Sequence, residues 1–126
     1  MFRGFDPCSG KWRYGTLIID KIGMSIIKVN DCAYQRVESK TVGEFTSLKD
    51  KHKKDIFEGD ILKYTQHKGY LLESCEMTVV FDNENGCFGY IKSTDENKLI
   101  HPFSEHDDLK NDVLDYVEII GNIYNK

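Results

Sequence analysis

Long apolar runs are missing from this sequence. No stretch approaches the roughly 20 residues that a helix needs to cross a bilayer, and the opening Met1-Phe2-Arg3-Gly4-Phe5-Asp6 lacks the apolar segment of a secretory signal. The expectation is a cytoplasmic protein with no membrane partner. Proline is scarce too: only Pro7 and Pro102 occur, and with no repeat or low-complexity tract nothing marks a linker, so residues 1–126 read as one domain. The four cysteines, Cys8, Cys32, Cys75 and Cys87, stand singly, with no C-x-x-C pair and no zinc or disulfide spacing. They are expected to be small buried thiols. The sequence also has no G-x-S-x-G elbow, H-E-x-x-H, Walker loop or G-x-G-x-x-G opening a helix.

What is present suffices for an ordinary core. With 126 residues, 40% hydrophobic and 12% aromatic, the chain can remove roughly two thirds of its unfolded surface from water, while 30% charged residues solvate the outside. It is expected to fold without metal, cofactor or disulfide. The net charge of −4 is unevenly placed: residues 1–63 carry +3 and residues 64–126 carry −7. Such a split either complements itself within the fold or suits association with another copy or with a charged partner.

Apolar residues come in short β-branched and aromatic runs, broken about every eight to twelve residues by Gly, Asn, Asp or Lys. Phe2 to Phe5 leads into a turn at Asp6-Pro7-Cys8-Ser9-Gly10. Trp12 to Tyr14 and Leu17 to Ile19 read as hairpin arms around Gly15-Thr16; Met24 to Val29 and Tyr34 to Val37 follow as strands. Thr41 to Lys54 reads as loop with one helical turn near Glu44. Ile61 to Tyr64 is a strand entered through Glu58-Gly59-Asp60. Glu76 to Asp82 and Cys87 to Ile91, joined by Asn83-Glu84-Asn85-Gly86, form the clearest hairpin. Leu99 to Phe103 is a strand, Ser104 to Asp112 holds one or two helical turns capped by Ser104, and Tyr116 to Tyr124 is a long final strand that Gly121 bulges or bends. No long window repeats at i, i+3, i+4, i+7. The fold expected is all-β, a small barrel-like or tightly curled antiparallel sheet with one or two short helical turns.

Three groups of residues invite a chemical reading. Lys49, Lys51, His52, Lys53 and Lys54 make a basic loop able to touch phosphates, with Trp12 or Tyr14 as candidate stacking partners. In the same stretch Asp50, Asp55, Glu58 and Asp60 do not follow the calcium-loop spacing and read as turn formers, Asp60 accepting backbone N–H bonds and Gly59 taking a left-handed conformation. His101 and His106, with Glu105, Asp107 and Asp108, offer imidazole and carboxylate ligands close together in sequence.

Phe2-Arg3-Gly4-Phe5-Asp6, then Thr46-Ser47-Leu48-Lys49-Asp50-Lys51 through Asp55-Ile56-Phe57-Glu58-Gly59-Asp60-Ile61, and finally Glu118-Ile119-Ile120-Gly121-Asn122-Ile123-Tyr124 resemble, in order and spacing, the YopX family of phage and prophage proteins. Val79-Val80-Phe81-Asp82 with Gly86-Cys87-Phe88 looks like the central hairpin of that family. Phe5 stands where the family usually has Trp, and Ser47 where Gly is common. The resemblance implies an all-β, barrel-like domain from a mobile element and carries over no catalytic residue. Glu58, Gly59, Asp60, Gly121 and Asn122 are expected to shape turns and strand ends. The function expected is a non-enzymatic binding module for a host or phage protein or for a second copy. The alternatives are a nucleic-acid accessory protein using the loop Lys49 to Lys54, and a small metal-assisted hydrolase at His101 and His106.

Overall fold

Alternating burial turns most of the short apolar runs into strands. The computed structural model describes residues 1–103, 109–110 and 113–126, with backbone alone at residues 67, 68, 109 and 110. The chain is mostly β, and its contacts divide into two units: residues 1–45 with Lys126, and residues 46–125. The charge split follows this division, with eight basic and five acidic residues in the first unit against nine and sixteen in the second.

In the first unit β1 (Phe2–Asp6), β2 (Lys11–Ile19), β3 (Ser25–Asn30) and β4 (Ala33–Arg36) form an antiparallel meander. The start of β5 (Gly43–Lys49) pairs with the free side of β1, Phe2 opposite Glu44. The expected hairpin around Gly15-Thr16 is instead one continuous strand. β2 changes partner there: Lys11 to Gly15 pair with β1, and Thr16 to Ile19 pair with β3. The carbonyl of Lys28 occupies the space a side chain at residue 15 would need, so the glycine permits a close approach of strands rather than a turn. Ile27 and Val37 are buried, Val37 lying directly over Gly4. Phe5 meets the Trp12 ring edge-on at 5.5 Å, and the Arg3 guanidinium lies 4.5 Å from the Trp12 ring centre.

The second unit holds a five-stranded antiparallel sheet in the order β10 (Ile100–Pro102), β9 (Cys87–Lys92), β8 (Leu71–Asp82), β7 (Asp60–Lys68), β13 (Val117–Asn122). The end of β5, with β6 (Asp55–Phe57), β12 (Val113–Leu114) and β11 (Leu109–Lys110), also lies in this unit but pairs outside those five strands, Val113 running parallel to Lys49. Residues two apart on a strand share a face, and one face of this sheet buries Leu62, Met77, Val79, Tyr90 and Val117 together with Ile56, Phe103 and Leu114. The hairpin of β8 and β9 has the expected turn, with Gly86 N–H donating to the Asp82 carbonyl at 2.8 Å. The final strand carries the expected irregularity: Ile119 faces Leu62 and Gly121 faces Ile61, leaving Ile120 as the extra residue.

Three expectations change. Among the described residues no closed barrel forms, because β4 ends one strand order and β10 and β13 end the other, and these terminal strands do not pair to close either sheet. Thr41 to Lys54 is not mainly loop, since Gly43–Lys49 is a strand and the nearby helical turn is 3-10, at Ser39–Thr41. The hydroxyl of buried Thr46 holds that strand by donating to the Ile56 carbonyl at 2.8 Å. The cysteines are not buried: Cys8 and Cys32 lie exposed in turns, and Cys75 and Cys87 are half-buried. In the stretch Ser104 to Asp112, Leu109–Lys110 is strand; the helical turns expected at residues 104–108 and 111–112 fall outside the described residues.

Ser47 stands at a position that glycine would occupy more easily. It sits within β5 at φ 70°, a left-handed conformation that costs a side-chain-bearing residue about 1–2 kcal/mol. Part of that gain is offset because glycine frees the unfolded chain. Ser47→Gly should therefore raise stability by about 0.5–1 kcal/mol, read as an increase in the urea midpoint at constant slope.

Candidate functional site

The motif stretch from Thr46 to Ile61 is built from two buried carboxylates. Asp50 is 1% exposed. Its Oδ1 accepts from the N–H groups of His52 and Lys54, both at 2.9 Å, and closes the loop after β5; its Oδ2 accepts from Ile119 N–H on β13 at 3.1 Å. Lys51 N–H donates to the Val117 carbonyl at 2.9 Å. One loop thus covers the outer edge of β13, where unpaired backbone groups would otherwise invite another strand. Asp60, equally buried, accepts from Phe57 N–H at 2.8 Å across the turn Glu58-Gly59. Gly59 has φ 92° and lies under the Tyr124 ring; Asn122 Oδ1 accepts from Tyr124 N–H at 3.1 Å and sets the strand end that delivers that ring. Gly121 follows the bulged residue.

The basic loop is partly neutralised by its own unit. Lys49 pairs with Asp55 at 3.0 Å, and Glu118 takes both Lys51 at 3.8 Å and His52 at 3.5 Å. Lys53 and Lys54 are exposed and form no ion pair among the described residues. The candidate stacking partners lie in the first unit, Trp12 held by Phe5 and Arg3, and Tyr14 45% exposed. His101 stacks on Tyr90 with ring centres 5.3 Å apart, while His106, Glu105, Asp107 and Asp108 fall outside the described residues. Among the described residues no three His, Cys, Asp or Glu side chains gather as metal ligands.

Two features of β7 and β8 were not legible in the sequence. The strands pair with each other out to Lys68 opposite Leu71, yet β13 follows β7 only to Tyr64 and β9 follows β8 only to Met77. Thr65 N–H donates to the Tyr116 carbonyl and Ser93 N–H to the Glu76 carbonyl. Beyond those bonds a two-stranded ribbon projects past the sheet, with Tyr70, Leu71 and Leu72 at its tip exposed by 106%, 68% and 59%. At the ribbon base an open cleft of about 640 Å³ is lined by Tyr64, Leu72, Cys75, Met77, Tyr90 and Lys92 among others, and the Tyr64 hydroxyl donates to Gln66 Oε1 at 2.6 Å.

The model of one protein family, described as YopX protein, matches residues 1–126. The chain belongs to the YopX family. A crystal structure of protein EF1440 from Enterococcus faecalis is similar in fold to this YopX chain, with a TM-score of 0.52 and 22% identity over 98% of this chain and 92% of that one. A search of the curated proteins found no match. No helix among the described residues is long and apolar enough to cross a membrane.

Asp6 and Asp82 anchor the turns that follow β1 and β8, and both have pKa values below the usual carboxylate range. For Asp6 the leading cause is the Ser9 hydroxyl, opposed by desolvation and reinforced by Cys8 N–H, Arg13 and Ser9 N–H; for Asp82 it is the Asn85 side-chain amide, opposed by desolvation and reinforced by the Asn85 and Glu84 N–H groups. A folded-state pKa below the unfolded value of about 3.9 gives stability that is fully present above that value and lost as pH falls through the folded one. Unfolding free energy should hold level from neutral pH to about pH 5 and fall below about pH 4. Asp6→Asn with Asp82→Asn should flatten that acid limb in chemical denaturation.

Proposed function

We propose that this chain is a non-enzymatic binding module of phage or prophage origin that acts in the bacterial cytoplasm on a protein partner. The observation that carries the reading is the projecting ribbon of β7 and β8. A two-stranded ribbon on its own is marginal in water, and this one places three large apolar side chains at its tip, where they add nothing to the core. An exposed apolar tip, with edges that pair with no further strand among the described residues, suits association by strand addition and side-chain burial. The buried carboxylates support the same reading from the other side: Asp6, Asp50, Asp60 and Asp82 all accept backbone N–H bonds and serve as turn anchors.

The test is affinity purification from a lysate of the native host, with and without nuclease, comparing wild type with Tyr70→Asp/Leu72→Asp. The expected result is a protein retained by wild type after nuclease and lost by the variant. Identical recoveries from both would overturn the reading. Partners lost on nuclease treatment alone would move the function to the exposed lysines of the loop, with Lys53→Glu/Lys54→Glu as the next variant.

A further inference from the structure

We infer that the partner of the ribbon is a second copy of this chain, joined by antiparallel pairing of the outer edge of the ribbon at the start of β8, residues 70–74, with the same edge of the copy about a two-fold axis. The inference rests on the reading of the ribbon as a protein-binding element. Three observations select this edge and this occupant.

First, the protein treats its edges differently. The outer edge of β13 is closed by the Asp50 carboxylate and by Lys51 N–H, whereas β8 from Leu71 to Cys75 has β7 on one side and, among the described residues, no strand on the other. A long bare edge is normally blunted by lysine, proline or an inward charge. The β7 overhang has His67 and Lys68 in its sequence; the β8 overhang has Leu71, Leu72, Glu73, Ser74 and Cys75, with one charge. The apolar edge is therefore the one left open to pairing.

Second, the symmetry closes without further requirements. Two copies of one strand, antiparallel and edge to edge, are related by a two-fold axis, so each supplies the same surface and no free edge is passed on to a third copy. Third, charge sets the register. Centring the pair on Glu73 would place two carboxylates directly opposite each other, which is destabilising. Centring it on Leu72 sets Leu72 against Leu72 of the copy, Leu71 against Glu73, and Tyr70 against Ser74, so the two leucines at the centre cover each other and no like charges are directly opposed. Pairing over so few residues falls below the roughly 1,200 Å² of stable interfaces. The dimer is accordingly weak, and its population follows concentration.

The experiment uses the full chain with Cys8→Ser and Cys32→Ser, which removes the two exposed thiols. Sedimentation over about a hundredfold range of concentration should show monomer converting to dimer. In the same background Leu72→Cys should oxidise to a disulfide-linked dimer, because directly opposed residues in antiparallel strands have Cα separations of about 4.5–5.5 Å, within disulfide reach. Leu99→Cys, equally exposed at 60% but away from the ribbon, should cross-link at least about tenfold more slowly, a margin that separates pairing from random collision. Leu72→Asp should remain monomeric with an unchanged melting curve. A monomer throughout the range, or cross-linking of Leu72→Cys no faster than Leu99→Cys, overturns the self-pairing. If the ribbon variant still loses a host protein in the purification above, the binding-module reading stands without it; if the variant loses nothing, both fall.

Discussion

Asp50→Ala should lower the unfolding free energy by about 3–4 kcal/mol, a large effect for one side chain in a loop. The carboxylate is almost wholly buried and accepts three backbone N–H bonds, two inside its own loop and one from β13. Alanine leaves those donors without an acceptor, and a buried unsatisfied donor loses more than the net worth of its bond. Asp50→Asn separates the two roles. The one acceptor oxygen of asparagine can serve the loop, which leaves its amide nitrogen facing Ile119 N–H, donor against donor, so about half of the loss is expected. The readout is the urea midpoint of each variant at constant slope. Since Asp50 also closes the edge of β13, the alanine variant should aggregate sooner on heating than its lost stability alone explains. A loss below about 1 kcal/mol for alanine would mean that water replaces the carboxylate and that the loop is not anchored by it.

The second large effect is expected at Gly59. Alanine there must hold φ near 92°, and its Cβ would stand 2.9 Å from the Tyr124 ring. The residue cannot move aside easily, because its N–H donates to the Val79 carbonyl and its carbonyl accepts from Ile123 N–H, each at 2.9 Å. Backbone strain of about 1–2 kcal/mol adds to displacement of the ring, for a loss of about 2–3 kcal/mol in all. Gly69→Ala is the control. It shares a positive φ, 62°, but has open space where the Cβ would go, so it should show the strain alone. Equal losses at the two glycines would remove Tyr124 from the account.

Residues with local consequences could be read from the sequence. Gly59 and Asp60 were expected as turn formers, and they form a turn whose backbone is held by the Asp60 carboxylate. Asn83 to Gly86 carried hairpin chemistry in four residues, and the hairpin register follows from it. Gly15-Thr16 misled because a glycine between two β runs has the same composition whether the chain turns or a neighbouring strand approaches; only the position of the Lys28 carbonyl separates the cases. Thr41 to Lys54 misled because its polar residues are satisfied at a distance, Thr46 by Ile56 and Asp50 by Ile119. The basic loop looked stronger in sequence than in space, because Glu118, which lies against Lys51 and His52, is 67 and 66 positions away from them.

The sequence by itself determined the mostly β character of the chain, its membership of the YopX family and the turns at its motif residues, since period-two burial and turn chemistry act over a few neighbouring residues. The tertiary structure decided which strand edges are covered and which stay open. β7 and β8 are long enough to outrun β9 and β13, and that mismatch of lengths depends on pairings between residues far apart in the chain. The ribbon with Tyr70, Leu71 and Leu72 therefore exists only as a consequence of register.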